Sequence, residues 1–273
     1  MESVSRERLD DLARDWAGVY QNQKPFPYIF FTDFLNKRTA DQMVEDFHPI
    51  NKNFYRYDNP LEKKFAFDRV SELPDSIRNT LADLSSPPFL NFLEKLTGID
   101  GLIPDPYYRG GGVHQSKRGG KLDIHIDFNN HPKLKLERRI NVLVFLNKNW
   151  EEGYNGDFQI WDGYKDGETG KHVLTKLARK IYPTFNTFVC FNTSGRSYHG
   201  FPDEIRCPEN VTRKSIALYY YTVSRESAVA NKSEGAHSTT YVKRPHEDDS
   251  LEEMRSARNK GRLGSNIKDN NLS

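Results

Sequence analysis

The hydrophobic pattern changes character about a third of the way along the chain. Apolar side chains recur every three or four positions over 5–20, 39–47, 75–84 and 86–98, which predicts four amphipathic helices. A short apolar run at 26–31 has the composition of a strand. After residue 105, short apolar runs alternate with Gly, Asn, Asp and Pro, a pattern typical of strands joined by turns.

The second part of the chain is predicted to be mainly β. Five runs predict strands: 121–127, 139–146, 157–161, 187–192 and 213–223. Because the helices gather at one end of the sequence, we expect a sandwich or barrel with a helical layer. The run "INVLVFL" is apolar on both faces, which indicates a central strand covered on both sides.

We expect one structural domain with three regions. Residues 1–104 form a helical and strand support region, 105–224 the β core, and 225–273 a polar C-terminal extension with one short helix at 251–260. Leu251 and Met254 are the apolar residues that would anchor that helix. Of the 273 residues, 36% are hydrophobic and 29% charged, which indicates a globular protein with a polar surface.

Composition argues against several function classes. The net charge of +2 gives no general attraction to nucleic acids or membranes, and no block of aromatic and basic residues predicts nucleic-acid binding. No apolar run approaches the roughly 20 residues of a membrane span. The first ten residues are charged and do not resemble a signal peptide. Two cysteines, Cys190 and Cys207, make no disulfide framework, so we expect a cytoplasmic protein.

The stretch "KLDIHIDFNNH" contains the first candidate for chemistry. His125 and Asp127 are two positions apart on a predicted strand, so both side chains project from the same face. They are either an ordinary polar pair on a half-buried strand or two ligands of one metal ion. The similar group His246-Glu247-Asp248 lies in the polar C-terminal extension, so the spacing alone does not decide.

Residues further along the chain favour the metal. His199 follows a predicted strand in "SYHGFP", and two His with one carboxylate form the triad of non-haem Fe(II) oxygenases. In "TRKSIALYYYT", Arg213 and Ser215 share one strand face and can bind a carboxylate together. His246 has too little chain after it to supply an equivalent set.

The order of these blocks resembles the 2-oxoglutarate/Fe(II)-dependent oxygenases, and within them the prolyl-hydroxylase-like branch. After the His-x-Asp pair come "RRINVLVFLNKNW", "GYNGDFQIWD", "SYHGFP" and "TRKSIALYYYT", and the earlier "PFPYIFFTDFL" is also similar to that branch. The resemblance covers roughly residues 25–224. It implies a mainly β protein with flanking helices and a double-stranded β-helix, or jelly-roll, core.

The resemblance also implies a set of site residues. His125, Asp127 and His199 would bind Fe(II), and Arg213 with Ser215 would hold the far carboxylate of 2-oxoglutarate.

Two further cofactor contacts are implied at Asn141 and Gln115. Relatives carry a polar residue on the strand before "LN", and that position is Asn141 here. Phe145 lacks the hydroxyl that some relatives have at its position. Gln115 lies where some relatives use Tyr and is expected to compensate.

The implied activity is hydroxylation of an unactivated C–H bond. Fe(II), 2-oxoglutarate and O2 would be required, with ascorbate as a candidate reductant, and 2-oxoglutarate would become succinate and CO2. The carboxylate of Asp127 favours hydroxylation, because family halogenases lack it. The substrate is expected to be a prolyl residue of a peptide or a small metabolite. The alternative is a non-catalytic cupin-like binding module, which would not need the Arg213 clamp.

Substrate contacts are predicted less directly. In "GGGVHQSKRGG", which predicts a mobile lid, His114 contacts either the substrate or its own loop. Arg138 and Arg139 point to opposite faces by alternation, and we predict that Arg139 faces the site. Residues 105–140 contain eight basic and four acidic side chains, which form either a basic rim for an anionic substrate or a solvated loop.

Overall fold

The computed structural model describes residues 2–47, 49–223, 236–260 and 267–268. The helices of this part of the chain are α1 (Arg6–Asn22), α2 (Lys37–Glu45), α3 (Asp75–Asp83), α4 (Pro87–Thr97) and α5 (Glu252–Asn259). The first seven strands are β1 (Tyr28–Phe31), β2 (Tyr55–Asn59), β3 (Glu62–Phe67), β4 (Ile103–Pro104), β5 (Gly112–Ser116), β6 (Lys121–Ile126) and β7 (Glu137–Phe145). The others are β8 (Phe158–Lys165), β9 (His172–Ile181), β10 (Thr187–Asn192), β11 (Tyr198–Phe201), β12 (Arg213–Thr222), β13 (Thr240–Tyr241) and β14 (Ile267–Lys268).

The strands form one antiparallel sheet that curls into a jelly-roll core. Its order is β1-β10-β7-β12-β5-β3-β6-β11-β8-β9. β3 pairs with both β5 and β6 and so joins the two halves of the path. The prediction of a mainly β jelly-roll with flanking helices is confirmed.

β7 is the central strand that its two-sided apolar pattern predicts. It lies between β10 and β12. Val142 and Val144 belong to the large core beneath the helices. Leu143 and Phe145 belong to a second cluster inside the jelly-roll. Alternation along one strand therefore separates the structural face of the sheet from the face that carries the site.

The N-terminal helices cover the outer face of that half of the sheet. Phe34 stacks on Phe188 of β10 at 4.1 Å between ring centroids, and α4 adds Phe89 and Phe92 to the same core. Gly98 ends α4 in the left-handed conformation at φ 69°, as its sequence predicts.

One predicted helix start is wrong. Asn36 is the N-terminal cap of α2, so this helix begins at Lys37, before the predicted range of 39–47. The Asn36 side chain instead donates to the Glu2 carbonyl at 2.7 Å, which ties the start of α2 to the N-terminus.

The predicted mobile lid contains a strand instead. Residues 112–116 form β5, which pairs with β12 and β3. Gly112 has φ +80°, and a Cβ there would stand 2.3 Å from the Phe67 carbonyl oxygen. The glycines therefore permit close strand approach rather than mobility.

β9 has no counterpart among the predicted strands. It ends the sheet path, and most of its side chains are exposed. A polar edge strand lacks the apolar alternation on which the prediction relied.

Strands from the support region and the C-terminal extension join the same sheet. β1 pairs with β10, and β13 pairs with β6. The predicted C-terminal helix is present as α5, but its buried residue is Arg255 rather than Leu251 or Met254. None of the described helices has both the length and the apolar composition needed to cross a membrane. The cytoplasmic location stays a prediction.

Candidate metal centre

Strand pairing brings the two predicted histidine ligands together. His125 of β6 lies opposite His199 of β11, with 4.5 Å between ring centroids. Asp127 follows directly after β6. The three residues are buried, and one ligand atom from each lies within 4.8 Å of the other two.

Backbone carbonyls fix both imidazole rings. His125 Nδ1 lies 2.8 Å from the Asp123 carbonyl oxygen, and His199 Nδ1 lies 2.8 Å from the Ser197 carbonyl oxygen. Because a carbonyl only accepts, each Nδ1 donates a proton, and Nε2 is the atom of each ring left to bind a metal. The two Nε2 atoms face Asp127 at 3.6 and 3.4 Å. This arrangement is typical of metal-bound histidines.

Asp127 is held as a carboxylate. The Asn141 side chain donates to its Oδ2 at 2.6 Å, and the Arg138 guanidinium lies 3.2 Å from the same atom. Burial alone would raise the pKa of Asp127, but Arg138 and the histidines hold it well below its ordinary value. Burial lowers the pKa of His199, which favours the neutral ring that binds metals. Two imidazoles and one carboxylate fit an Fe(II) ion.

Arg138, not the predicted Arg139, points into the site. On β7, Ile140 pairs with Tyr220 and Arg138 pairs with Tyr221, so Arg139 is an extra residue without its own partner position. This bulge shifts the alternation and places Arg138 on the inner face with Asn141. The Arg139 guanidinium instead donates to Thr222 at 3.1 Å.

A small inner pocket of about 80 Å³ adjoins the triad. Arg213 lies in it between the rings of Phe145 and Phe201, at 4.7 and 4.3 Å, and its Nε donates to the Gly156 carbonyl at 2.7 Å. Among the residues that the structure describes, no carboxylate forms an ion pair with Arg213. Burial lowers its pKa to about 9. A buried, unpaired guanidinium is a ready site for a carboxylate ligand.

Of the other residues predicted to contact the cofactor, some lie on the inner face of their strand and one lies on the opposite face. Ser215 shares the inner face with Arg213 and lines the pocket. Asn141 also lines it, although its amide already donates to Asp127. On β5, His114 and Ser116 face the pocket, so Gln115 points to the opposite side. Its oxygen accepts from Thr212 at 3.0 Å, and Gln115 is not among the residues that line the pocket.

His114 makes the loop contact that is one of its two predicted alternatives. Its Nε2 lies 3.0 Å from the Gly110 carbonyl, which is the loop hydrogen bond, and its ring also lines the inner pocket. Burial and the charge of Lys64 lower its pKa to about 3, so the ring is neutral.

A wider cleft of about 600 Å³ opens above the triad. His125, Asp127 and Arg138 form its floor, and Tyr55, Tyr57, Phe128, Tyr219 and Tyr241 contribute aromatic walls. The β2–β3 hairpin and the C-terminal extension supply Lys64, Glu62 and Arg258, which sequence reasoning did not select.

The predicted basic rim is only partly present. Of the eight basic side chains in residues 105–140, Arg109 and Arg138 line the cleft. The other cations of the lining come from far outside that range.

The family model described as the 2OG-Fe(II) oxygenase superfamily matches residues 111–221. A search of curated proteins gave no match. Among solved structures, the chain is similar to a Trichoplax adhaerens prolyl hydroxylase in complex with a hypoxia inducible factor oxygen degradation domain peptide fragment. The two are 20% identical, with a TM-score of 0.54 over 81% of this chain and 94% of that one. A Pseudomonas putida prolyl-4-hydroxylase is 12% identical, with a TM-score of 0.47 over 76% of this chain and 98% of that one.

Proposed function

We propose that this chain is a 2-oxoglutarate-dependent dioxygenase of the 2OG-Fe(II) oxygenase superfamily, whose family model matches residues 111–221. The proposed reaction is hydroxylation of an unactivated C–H bond of a prolyl residue or a small metabolite. His125, Asp127 and His199 are the proposed Fe(II) ligands. The convergence of these three side chains beside a buried, unpaired Arg213 is the observation that carries the proposal.

Each inner-pocket residue has a distinct part in binding. The Arg213 fork and the Ser215 hydroxyl bind the far carboxylate of 2-oxoglutarate. Asn141 and Arg138 hold Asp127 in one orientation, so the ligand geometry exists before the ion binds. The chemistry that Fe(II) and 2-oxoglutarate supply when bound is O2 activation, coupled to decarboxylation to succinate and CO2.

The apolar part of the lining keeps water away from the reacting centre. Leu143, Phe158 and Phe191 surround the inner pocket next to His199. A dry pocket strengthens the electrostatic contacts of Arg213 and limits side reactions.

The outer cleft is the proposed substrate site. It opens directly on His125 and Asp127, and its tyrosine-rich walls suit a ring or an extended peptide. A peptide-bound prolyl hydroxylase has a similar fold, which supports testing peptides first.

The direct test is succinate release with Fe(II), 2-oxoglutarate and O2, measured over a panel of proline-containing peptides, free amino acids and small acids. Parallel assays with and without ascorbate test the predicted reductant. We expect at least one compound to raise succinate release and to gain one oxygen atom by mass spectrometry. A protein that binds Fe(II) but never consumes 2-oxoglutarate would instead match the cupin-like binding module.

A further inference from the structure

One buried carboxylate at the cleft mouth is shared by two cations. Glu62, at the start of β3, lies 3.0 Å from Lys64 Nζ and 3.5 Å from the Arg258 guanidinium. It also accepts a hydrogen bond from the Tyr241 hydroxyl at 2.9 Å. We call Glu62, Lys64, Tyr241 and Arg258 the Glu62 cluster.

The Glu62 cluster stands next to the metal centre. The Tyr241 ring lies 5.7 Å from the His125 ring, and the Arg258 guanidinium lies 5.5 Å from the Tyr241 ring. All four residues line the outer cleft, and Lys64 reaches the inner pocket as well. A substrate above the triad would therefore meet this cluster.

The C-terminal extension holds the cluster in place. Asn259 accepts from the Tyr241 amide at 2.8 Å and donates to the Tyr241 carbonyl at 3.0 Å. Tyr241 is also paired with His125 in the β13–β6 ladder. Arg258 belongs to α5, outside the residues matched by the family model, so the cluster is a feature of this chain rather than of the matched core.

The charges of the cluster do not balance. Burial would raise the pKa of Glu62, but Lys64 and Tyr241 lower it, and Glu62 is therefore anionic. Burial would lower the pKa of Lys64, but Glu62 raises it, and Lys64 is therefore cationic. With Arg258 included, two positive charges face one negative charge.

Arginines and aspartates are equal in number among the other charged residues of the lining. The arginines are Arg138 and Arg109, the aspartates are Asp127 and Asp68, and Arg138 lies against Asp127. The cluster therefore carries the unmatched positive charge of the lining.

Both cations keep access to the cleft. The Lys64 side chain is 15% exposed and that of Arg258 is 13% exposed. Among the described residues, Glu62 engages one of the three donors of the Lys64 ammonium, and Glu62 and the Tyr241 hydroxyl both lie at Nη2 of Arg258. In a partly desolvated cleft, an unmatched positive charge with free donors attracts an anion strongly.

We propose that Lys64 and Arg258, held by Glu62, form an anion-binding subsite that recognises a carboxylate of the substrate. This inference rests on the proposed function, because it concerns the compound that is hydroxylated above the triad. The carboxylate belongs either to a free amino or other small acid, or to an acidic residue beside the target in a peptide. The chemistry of recognition is the same for both sources.

The test compares matched pairs that differ only in this carboxylate. The small-molecule pairs are L-proline with L-prolinamide and L-leucine with L-leucinamide. The peptide pair has one proline-containing sequence with Glu or Gln next to the proline. Each compound is titrated into the Fe(II) protein with 2-oxoglutarate, and both stimulated succinate release and the change in the visible absorption of the complex are recorded.

In at least one pair, we expect the carboxylate compound to half-saturate at a concentration about tenfold lower than its amide, a typical effect of one charged hydrogen bond. The pair that responds identifies the source of the carboxylate. High salt should narrow the difference. If the carboxylate compound has no advantage in any pair, the anion subsite is wrong.

Substitutions then assign the effect to the cluster. Arg258→Gln should remove most of the preference for the carboxylate, while Arg258→Lys should keep part of it. Arg179→Gln removes an exposed positive charge on β9 and serves as the matched control. Equal loss of preference in Arg258→Gln and Arg179→Gln would overturn the assignment.

The two proposals fail in different ways. If the wild-type Fe(II) protein gives no spectral response to 2-oxoglutarate, both the proposed function and the proposed anion subsite are wrong. If that response is present but no carboxylate compound is preferred over its amide, only the proposed anion subsite is wrong.

Discussion

At the residue scale, Asp127 receives contacts from every side of the proposed metal centre. Both histidine Nε2 atoms, the Asn141 amide and the Arg138 guanidinium lie within 3.6 Å of its carboxylate oxygens. A carboxylate so constrained cannot rotate freely, so its position is set by the sheet and not by the ion. The site is thus preorganised by strand register.

We predict that Asp127→Ala and His199→Ala each lower Fe(II) affinity by more than about 100-fold, since groups that only orient metal ligands are worth roughly 10–100-fold. Isothermal titration with Fe(II) under argon measures the affinity, and succinate release should fall below detection. His246→Ala is the matched control, because His246 lies in a similar sequence pattern on the exposed C-terminal extension. A triad variant that binds iron as the control does would remove that residue from the ligand set.

A second substitution tests the carboxylate clamp. Arg213→Lys keeps a positive charge but loses the guanidinium fork, so we expect the KM for 2-oxoglutarate to rise about 10- to 100-fold, the value of a charged hydrogen bond. Fe(II) affinity without 2-oxoglutarate should stay close to wild type. An unchanged KM would show that 2-oxoglutarate is held elsewhere.

The sequence predicts the residues that follow strict alternation and misses those that do not. His125, Arg213 and Ser215 lie on regular stretches of strand and Asp127 directly follows one, and the structure places their side chains where alternation does. The bulge in β7 cannot be recognised in a single sequence, so simple alternation predicts that Arg139, rather than Arg138, faces the site.

Contacts between residues far apart in the sequence could not be predicted either. Glu62 and Arg258 are 196 positions apart and meet only through the fold.

At the scale of elements, the C-terminal extension completes the metal-bearing strand. β13 covers the edge of β6 beside His125, and Val242 donates to the Ile124 carbonyl. α5 then docks through Arg255, whose guanidinium lies 2.9 Å from Asp123 and 2.6 Å from Glu247. The Asp123 carbonyl is the group that orients His125, so this docking supports the centre.

We predict that Arg255→Gln lowers the free energy of unfolding by about 3–5 kcal/mol, the typical cost of breaking a buried ion pair on one side. The Arg255 and Asp123 side chains are only 3% and 1% exposed, so water cannot replace the lost partner. Urea unfolding measures the change. Arg14→Gln, on an exposed helix surface, should change it by less than about 1 kcal/mol. Equal effects of the two substitutions would contradict the docking role of Arg255.

The same extension should loosen in acid. Burial opposes ionisation of Asp203 and Glu247, but Arg244 lowers the pKa of both. Their contribution to stability is therefore present above the ordinary carboxyl pKa of about 4 and is lost as the pH falls through the lower folded values. The protection of residues 242–259 against hydrogen exchange should fall below about pH 4, before the protection of the sheet falls. Simultaneous exchange of the sheet and the extension would contradict this order.

At the scale of the whole molecule, the two faces of the jelly-roll sheet have different roles: one packs against the helices and the other carries the proposed site. Helices and the aromatic core stiffen the outer face of β10, β7 and β12, while the inner face presents Arg213, Ser215 and Asn141. The inner pocket and the outer cleft share His125, Asp127 and Arg138 on their common boundary. One cavity can therefore hold the co-substrate while the other holds the substrate, with the triad between them.

The central claim is that one Fe(II) ion on this triad binds 2-oxoglutarate through the pocket of Arg213. Anaerobic titration of the Fe(II) protein with 2-oxoglutarate tests it most directly. We predict a weak visible charge-transfer band that saturates at an equimolar amount of 2-oxoglutarate, is absent from His199→Ala and needs more 2-oxoglutarate in Arg213→Lys. A wild-type protein that binds Fe(II) without developing this band, or a His199→Ala variant that develops it fully, would contradict the claim.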